Sequence, residues 1–253
     1  MRKFGLIGFP LSHSFSPDYF AEKFTRENII NCSYESFPID SIEKFPALLC
    51  SLAELEGINV TIPYKKSVIP YLNFCSEEVT KMGACNCIKI TNGFLTGFNT
   101  DVVGFEKSLS DRLTSSHTQA LVLGTGGSAS AVEFVFEKLG IDFLFVSRTH
   151  AKNKKSCTYG ELTKEVMEQR TLIINTTPLG MFPDVNNCPD IPYQFLTPHH
   201  YLFDLVYNPA KTLFLKRGEE MGAITKNGSD MLIIQAEESW KIWNEKYTSN
   251  DRI

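Results

Sequence analysis

Residues 120–134, "ALVLGTGGSASAVEF", set Gly124 and Gly126 in a turn between an apolar, β-branched run and an amphipathic one. Glycines at such a turn let the backbone approach a pyrophosphate. The free N–H groups of Gly127, Ser128 and Ala129, at the start of the following helix, then hold its charge. Ala129 stands where the third small residue of the pattern belongs. Glycine turns also join strands to helices without any ligand. Here the strand before, the helix after and the next strand "DFLFV" supply the βαβ context that makes dinucleotide binding the chemistry to expect. At the end of that next strand an NAD site places a carboxylate on the ribose. This chain has "SRTHAKNKK" instead, with Ser147, Arg148, Thr149 and Lys152. A guanidinium pairs with a 2′-phosphate that a carboxylate would repel, so NADP is the expected cofactor. Lys154 and Lys155 read as a solvated basic loop.

Two further stretches place charged groups among apolar ones. "GFNTDVVGF", residues 97–105, carries Asp101, and the plain reading is that Thr100 or Asp101 caps a helix from about Val102 to Leu113. "GINVTIPYKK", residues 57–66, puts Lys65 after a strand and a proline, at the N-terminal edge of the next helix. Lys66 reads as a surface cation.

Composition narrows the classes. Net charge is −4 with 43% hydrophobic residues, which gives no electrostatic footprint for nucleic acid. No apolar run approaches the roughly 18–20 residues that span a bilayer. Gly5, Gly8 and Pro10 interrupt the start of the chain, so no signal peptide is expected. The seven cysteines are scattered, and Cys85 and Cys87 in "GACNC" are the only close pair. With no second Cys/His cluster, reduced thiols, no metal and a cytoplasmic location are expected.

These residues are carried by alternating strands and helices. "KFGLIGF" reads as a strand, and "SPDYFAEKFTREN" as a helix with Ser16 as N-cap and Pro17 at its first position. "CSYESF" and "GINVTI" are strands around the mostly helical "SIEKFPALLCSL". "CNCIKITNGFLTGFN" is a hairpin turning at Asn92-Gly93. After the polar "SSHTQ" a second series runs through "ALVLG", "DFLFVSR", "TLIINTTP" and "YLFDLVYNP". Alternation of this kind implies parallel sheets covered on both faces. The last helix has Leu232, Ala236, Trp240 and Trp243 on one face, a core stripe, with Gln235 beside it.

The motifs "GFPLSHSFSP", "GINVTIPYK", "GACNC", "GFNTDVVGF", "GTGGSASA", "SRT", "NTTPLGM", "DLVYNPAKT" and "NGSDMLIIQA", in this order, resemble the shikimate dehydrogenase family almost end to end. The resemblance implies an α/β fold: an N-terminal α/β substrate domain (1–101) and a Rossmann-type doubly wound parallel sheet that binds NADP (102–228). The C-terminal helix (229–253) returns to the first domain. It implies NADP-dependent interconversion of 3-dehydroshikimate and shikimate, with Lys65 as proton donor and Asp101 as its partner. Hydride transfer to a ketone builds negative charge on oxygen, which such a donor relieves.

By the same resemblance, Ser14 and Ser16 bind the substrate carboxylate, and Asn59, Thr61, Asn86, Asp101, Tyr207 and Gln235 its other groups. Asn59 and Thr61 alternate along one face of a strand and reach the same place. Asn175, Thr176, Leu205 and Gly228 belong at the nicotinamide end, and Glu77 at the cofactor side, where it also reads as a helix-start carboxylate. Partners are then small molecules alone, in a monomer or homodimer. Cys87 and Ser147 depart from the family's threonine and asparagine. An NAD-using quinate/shikimate enzyme and a non-catalytic NADP-binding protein of the same fold are the alternatives. Arg148 argues against the first, and the presence of both Lys65 and Asp101 against the second.

Overall fold

Strand β1 (Arg2–Gly8) is buried along most of its length, as befits a strand with packed elements on both faces. A computed structural model describes residues 1–11, 14–151 and 155–245. The chain goes on through α1 (Phe15–Arg26), β2 (Cys32–Pro38), α2 (Phe45–Ser51), β3 (Leu55–Val60), β4 (Phe74–Cys75), α3 (Glu77–Met82), β5 (Cys87–Thr91), β6 (Phe94–Phe98) and α4 (Thr100–Ser110). These strands form a six-stranded sheet of order β2-β1-β3-β5-β6-β4. Its β2, β1 and β3 are parallel, but β3, β5 and β6 run antiparallel. The antiparallel β5–β6 pair is the expected hairpin, in which Asn92 and Gly93 both take positive φ. That makes a tight two-residue turn, which can only join antiparallel neighbours.

Two helix starts also differ from expectation. α1 begins at Phe15 with Ser14 in the extended N-cap conformation, so Ser16 lies buried within the first turn. α4 begins at Thr100 rather than Val102, because two asparagines supply its caps. Asn86 Oδ1 accepts the Thr100 N–H at 2.7 Å, and Asn99 Oδ1 accepts that of Asp101 at 3.1 Å. Neither Thr100 nor Asp101 therefore provides the cap.

The second series comprises β7 (Gln119–Leu123), α5 (Gly127–Leu139), β8 (Asp142–Ser147), β9 (Ser156–Thr158), α6 (Lys164–Gln169), β10 (Leu172–Asn175), β11 (Tyr201–Asp204), α7 (Leu213–Glu220) and β12 (Ile224–Asn227). The sheet order is β12-β11-β10-β7-β8-β9, and every pair is parallel. Counted within this series, it is the doubly wound order with its switch point between β7 and β10. Residues 120–123 and 172–174 have essentially no exposed surface, as strands buried on both faces require.

The chain divides into two compact units. One is Met1–Val103 with Ile233 onward, and the other is Gly104–Leu232. The boundaries fall within α4 and within α8 (Ser229–Asn244), close to positions 101 and 228. In the first unit α8 lays Ala236 and Trp243 into a cluster with Phe4, Phe20 and Cys87. The Trp243 ring stacks on Phe4 at 4.8 Å, and its Nε1 donates to Ile88 O at 3.0 Å. Truncating a buried indole of this kind costs about 3–5 kcal/mol. Cys85 and Cys87 are both free and buried. Burial pushes the Cys85 thiol up to about 12 and raises that of Cys87 as well, so the pair is inert packing. Among the described residues no helix is long and apolar enough to cross a membrane.

Candidate active site

The side chains at the site of the first unit come from β3 and the turns after it, the segment before β5, the start of α4 and the body of α8. Lys65 does not start a helix. It belongs to a run of turns over 62–68, in which Tyr64 N–H donates to Thr61 O at 2.8 Å and Val68 N–H to Tyr64 O at 3.0 Å. Its own carbonyl accepts the Cys85 N–H at 2.7 Å, which ties the lysine backbone to the "GACNC" segment. Lys65 Nζ donates to Asp101 Oδ2 at 2.7 Å, with side-chain exposures of 30% and 19%. Because asparagines cap α4, the Asp101 carboxylate is available for that ion pair. The neighbouring Lys66 is exposed.

Beside the pair lies a network of buried amides and hydroxyls whose orientations are fixed by their partners. Asn59 Nδ2 donates to the Asn86 carbonyl at 3.2 Å and to Ser239 Oγ at 2.9 Å, and its Oδ1 accepts from Tyr34 OH at 2.9 Å. A carbonyl can only accept, so the Asn59 amide polarity is set. Both of its N–H groups are engaged, and what remains is one acceptor site on Oδ1. Asn86 has the opposite vacancy. Its Oδ1 accepts the Thr100 N–H and its Nδ2 donates to Thr100 Oγ1 at 3.1 Å, leaving one N–H without a partner among the described residues. Thr100 Oγ1 is also 3.4 Å from Gln235 Oε1 and 3.3 Å from Ser239 Oγ. An acceptor, a donor, an ammonium and a carboxylate at one place suit a ligand rich in hydroxyl and carbonyl groups.

The other expected substrate residues fall as follows. Thr61 is half-buried just past β3, its N–H bonded to Ile7 O at 2.9 Å. Ser14 caps α1 by conformation only, with no side-chain cap bond, so its hydroxyl is not engaged by the helix. Tyr207 is half-buried on the loop after β11, in the second unit. Two residues outside the expected set prove central. Thr100 reads from the sequence only as a cap, and Ser239 is wholly buried. Ser239 lies four residues after Gln235, and that helical spacing was the available signal.

In the second unit the glycine turn closes over the end of β7. Gly124 has φ +99°, and a Cβ there would lie 2.9 Å from Thr176 Oγ1 and from Thr177 Cγ2. Only glycine meets both demands. A Cβ on Gly126 or Gly127 would have nothing within 4 Å, so the N-terminus of α5 opens onto free space at the N–H groups of Gly127 and Ser128, whereas the Ala129 N–H, expected to be free, donates to Gly126 O at 3.1 Å. Ala129 faces inward, buried. A pyrophosphate fits this cradle. Arg148 and Thr149 are exposed after β8, with the Ser147 hydroxyl donating to Thr149 O. Burial raises the Tyr159 phenol, against the lowering effect of the nearby Arg148 charge. Among the described residues Ser147, Arg148 and Thr149 stand at the end of β8 where an NAD site would have a carboxylate. Lys152 lies outside the described residues.

Thr176 is locked to β7, its hydroxyl donating to Leu123 O at 2.7 Å. Gly228 packs so tightly on Leu205 that a Cβ would lie 2.3 Å from the Leu205 carbonyl oxygen. For Asn175 the structure corrects the expected direct contact: its side chain has no exposed surface and faces Asp204 and Thr177. Glu77 takes its helix-start reading in the first turn of α3, paired with Lys81 at 2.5 Å and largely exposed.

A model of the shikimate dehydrogenase substrate binding domain matches residues 6–88. The NADP(+) shikimate dehydrogenase of Caldanaerobacter subterraneus subsp. tengcongensis is 34% identical over 268 residues, covering 100% of this chain and 95% of that protein. Among solved structures, a shikimate dehydrogenase in complex with NADP+ superposes with a TM-score of 0.87 at 29% identity, covering 96% of this chain and 90% of the other. The Thermus thermophilus shikimate 5-dehydrogenase, in complex with NADP(H) and shikimate, gives 0.84 at 28% identity, covering 96% and 94%. With end-to-end likeness at this identity, the chain belongs to the shikimate dehydrogenase family.

Proposed function

We propose that the protein is an NADP-dependent oxidoreductase that interconverts 3-dehydroshikimate and shikimate, in the route to the aromatic amino acids. The first unit holds the substrate and the second holds the cofactor. The observation that carries this reading is the 2.7 Å ion pair of Lys65 and Asp101, set beside oriented amides in a member of this family. In the reductive direction the ketone carbon receives the hydride that bound NADPH supplies. The Lys65 ammonium gives one proton to the oxygen, and the products are shikimate, NADP+ and a neutral lysine that regains its proton from water. Asp101 holds the ammonium aimed until transfer through the 2.7 Å hydrogen bond between them. Asn59 Oδ1 accepts from a ring hydroxyl and the remaining Asn86 N–H donates to another. Ser14 and Ser16 receive the substrate carboxylate. The reading extends to a cytoplasmic location, supported by seven free cysteines, and to a monomer or homodimer.

The test is to mix the purified protein with shikimate and NADP+ and follow absorbance at the NADPH band. Shikimate with NADP+ is expected to give the highest kcat/KM among the four combinations of shikimate or quinate with NADP+ or NAD+. No NADPH formation at any pH, with NADP+ binding retained, would leave a non-catalytic binding protein instead.

A further inference from the structure

At the carboxyl end of the second sheet a wholly buried carboxylate holds two loops together. Asp204, the last residue of β11, has no exposed surface. Its Oδ1 accepts from Asn175 Nδ2 at 2.9 Å and from the Val206 N–H at 3.0 Å, and its Oδ2 accepts from the Thr212 hydroxyl at 2.6 Å. Asn175, the last residue of β10, turns its Oδ1 to the N–H and hydroxyl of Thr177 at 3.0 and 2.6 Å. Thr177 Oγ1 in turn accepts the Leu179 N–H at 3.3 Å. Thr212 is the N-cap of α7, accepting the Leu215 N–H at 3.4 Å. The bonds therefore run unbroken from α7 through β11 and β10 into the 176–179 turn. That turn abuts Gly124, as the contact of its would-be Cβ with Thr176 and Thr177 shows.

Apolar side chains would fill this space without desolvating a charge, and among the described residues no cation lies within ion-pair distance of Asp204. What the polar chain adds is one defined arrangement of the loops. Burial raises the Asp204 carboxyl to about 6, against the lowering effect of its three donors. The titratable group that feels its charge is the Tyr193 phenol, which has the Cys188 thiol beside it and the Arg217 guanidinium 5.1 Å from its ring centroid. Ligands of doubly wound sheets bind at the carboxyl ends of the strands, where both loops lie.

We infer that Asp204 is a positioning residue for the nicotinamide half of the cofactor, holding the 175–179 and 205–207 loops through Asn175 and the Val206 N–H. The inference rests on the cofactor reading above. Calorimetric titration of the full chain with NADPH tests it. Asp204→Asn puts an amide N–H where an acceptor oxygen stands, so Kd for NADPH should rise about tenfold near neutral pH. In the wild type the carboxylate is lost as pH falls through about 6. The variant-to-wild-type Kd ratio should therefore shrink toward one below that pH, while titration of the 2′-phosphate affects both proteins alike. Because Tyr207, an expected substrate residue, sits on the 205–207 loop, KM for shikimate at saturating NADP+ should rise as well, but by less than Kd for NADPH. Equal Kd values near neutral pH would overturn the inference, as would a pH-independent ratio with equal losses for both substrates.

If Asp204→Asn does not fold, Thr212→Val and Thr212→Ser serve instead. The valine variant should bind NADPH several-fold more weakly and the serine variant should restore binding, whereas wild-type binding by Thr212→Val would overturn the proposal. A wild type that binds no NADPH removes the cofactor reading and this inference together. A wild type that binds it only as tightly as Asp204→Asn does removes the inference alone.

Discussion

Lys65→Ala should lower kcat for 3-dehydroshikimate reduction by about 10²–10⁴-fold, the range that general acid–base groups contribute. KM should change far less. The reason is that the ammonium meets the forming alkoxide with full strength only in the transition state, so losing it costs rate more than ground-state binding. Lys65→Arg makes the distinction between charge and proton. A guanidinium keeps the pairing with Asp101, yet it holds its proton far more tightly than an ammonium and is a poor donor. It should be nearly as slow as the alanine variant while retaining more of the substrate affinity. The pair is half-buried, so neither substitution removes a core contact, and the melting temperature should move little. A large loss of affinity with kcat intact would reassign Lys65 to binding.

Arg148→Ala should lower kcat/KM for NADP+ by about 10–150-fold, the equivalent of one hydrogen-bonded charge pair at about 1.5–3 kcal/mol. NAD+, which lacks the 2′-phosphate, should be used as well as before, so the preference between the two cofactors narrows or reverses. Arg148 is exposed after β8, and part of the effect will be screened at high salt. Comparing both cofactors at low and at elevated ionic strength checks this. An unchanged ratio would assign the phosphate to other groups of the same loop.

Much of this was legible in the sequence because it is local. The glycine turn, the helix after it and the arginine after the next strand lie close together in the chain (124–148), and each obeys a rule of backbone geometry or charge. The Asn92-Gly93 hairpin was readable for the same reason, yet the pairing of its β5 with β3, which makes the first sheet mixed, is a property of the whole sheet. The capping of α4 was misplaced because Asn86, which accepts the Thr100 N–H, lies on another segment. Lys65 was expected at a helix start. The proline and the Cys85 contact make a run of turns there instead. Ser239 had a signal in its helical spacing from Gln235, but its bond to Asn59, like that of Asp204 to Asn175, joins residues distant in the chain, and no spacing rule reaches that far. The roles of Lys65 and Asp101 came from family resemblance, and their 2.7 Å approach supports them.

The most direct test of the Lys65–Asp101 pair is a double-mutant cycle on kcat/KM with Lys65→Ala, Asp101→Ala and the double variant. If the two residues act as one proton-delivering unit, the double variant should be about as slow as Lys65→Ala alone, with strongly non-additive losses. If the losses instead multiply, each side chain works independently of the other, and proton delivery by a coupled pair is contradicted.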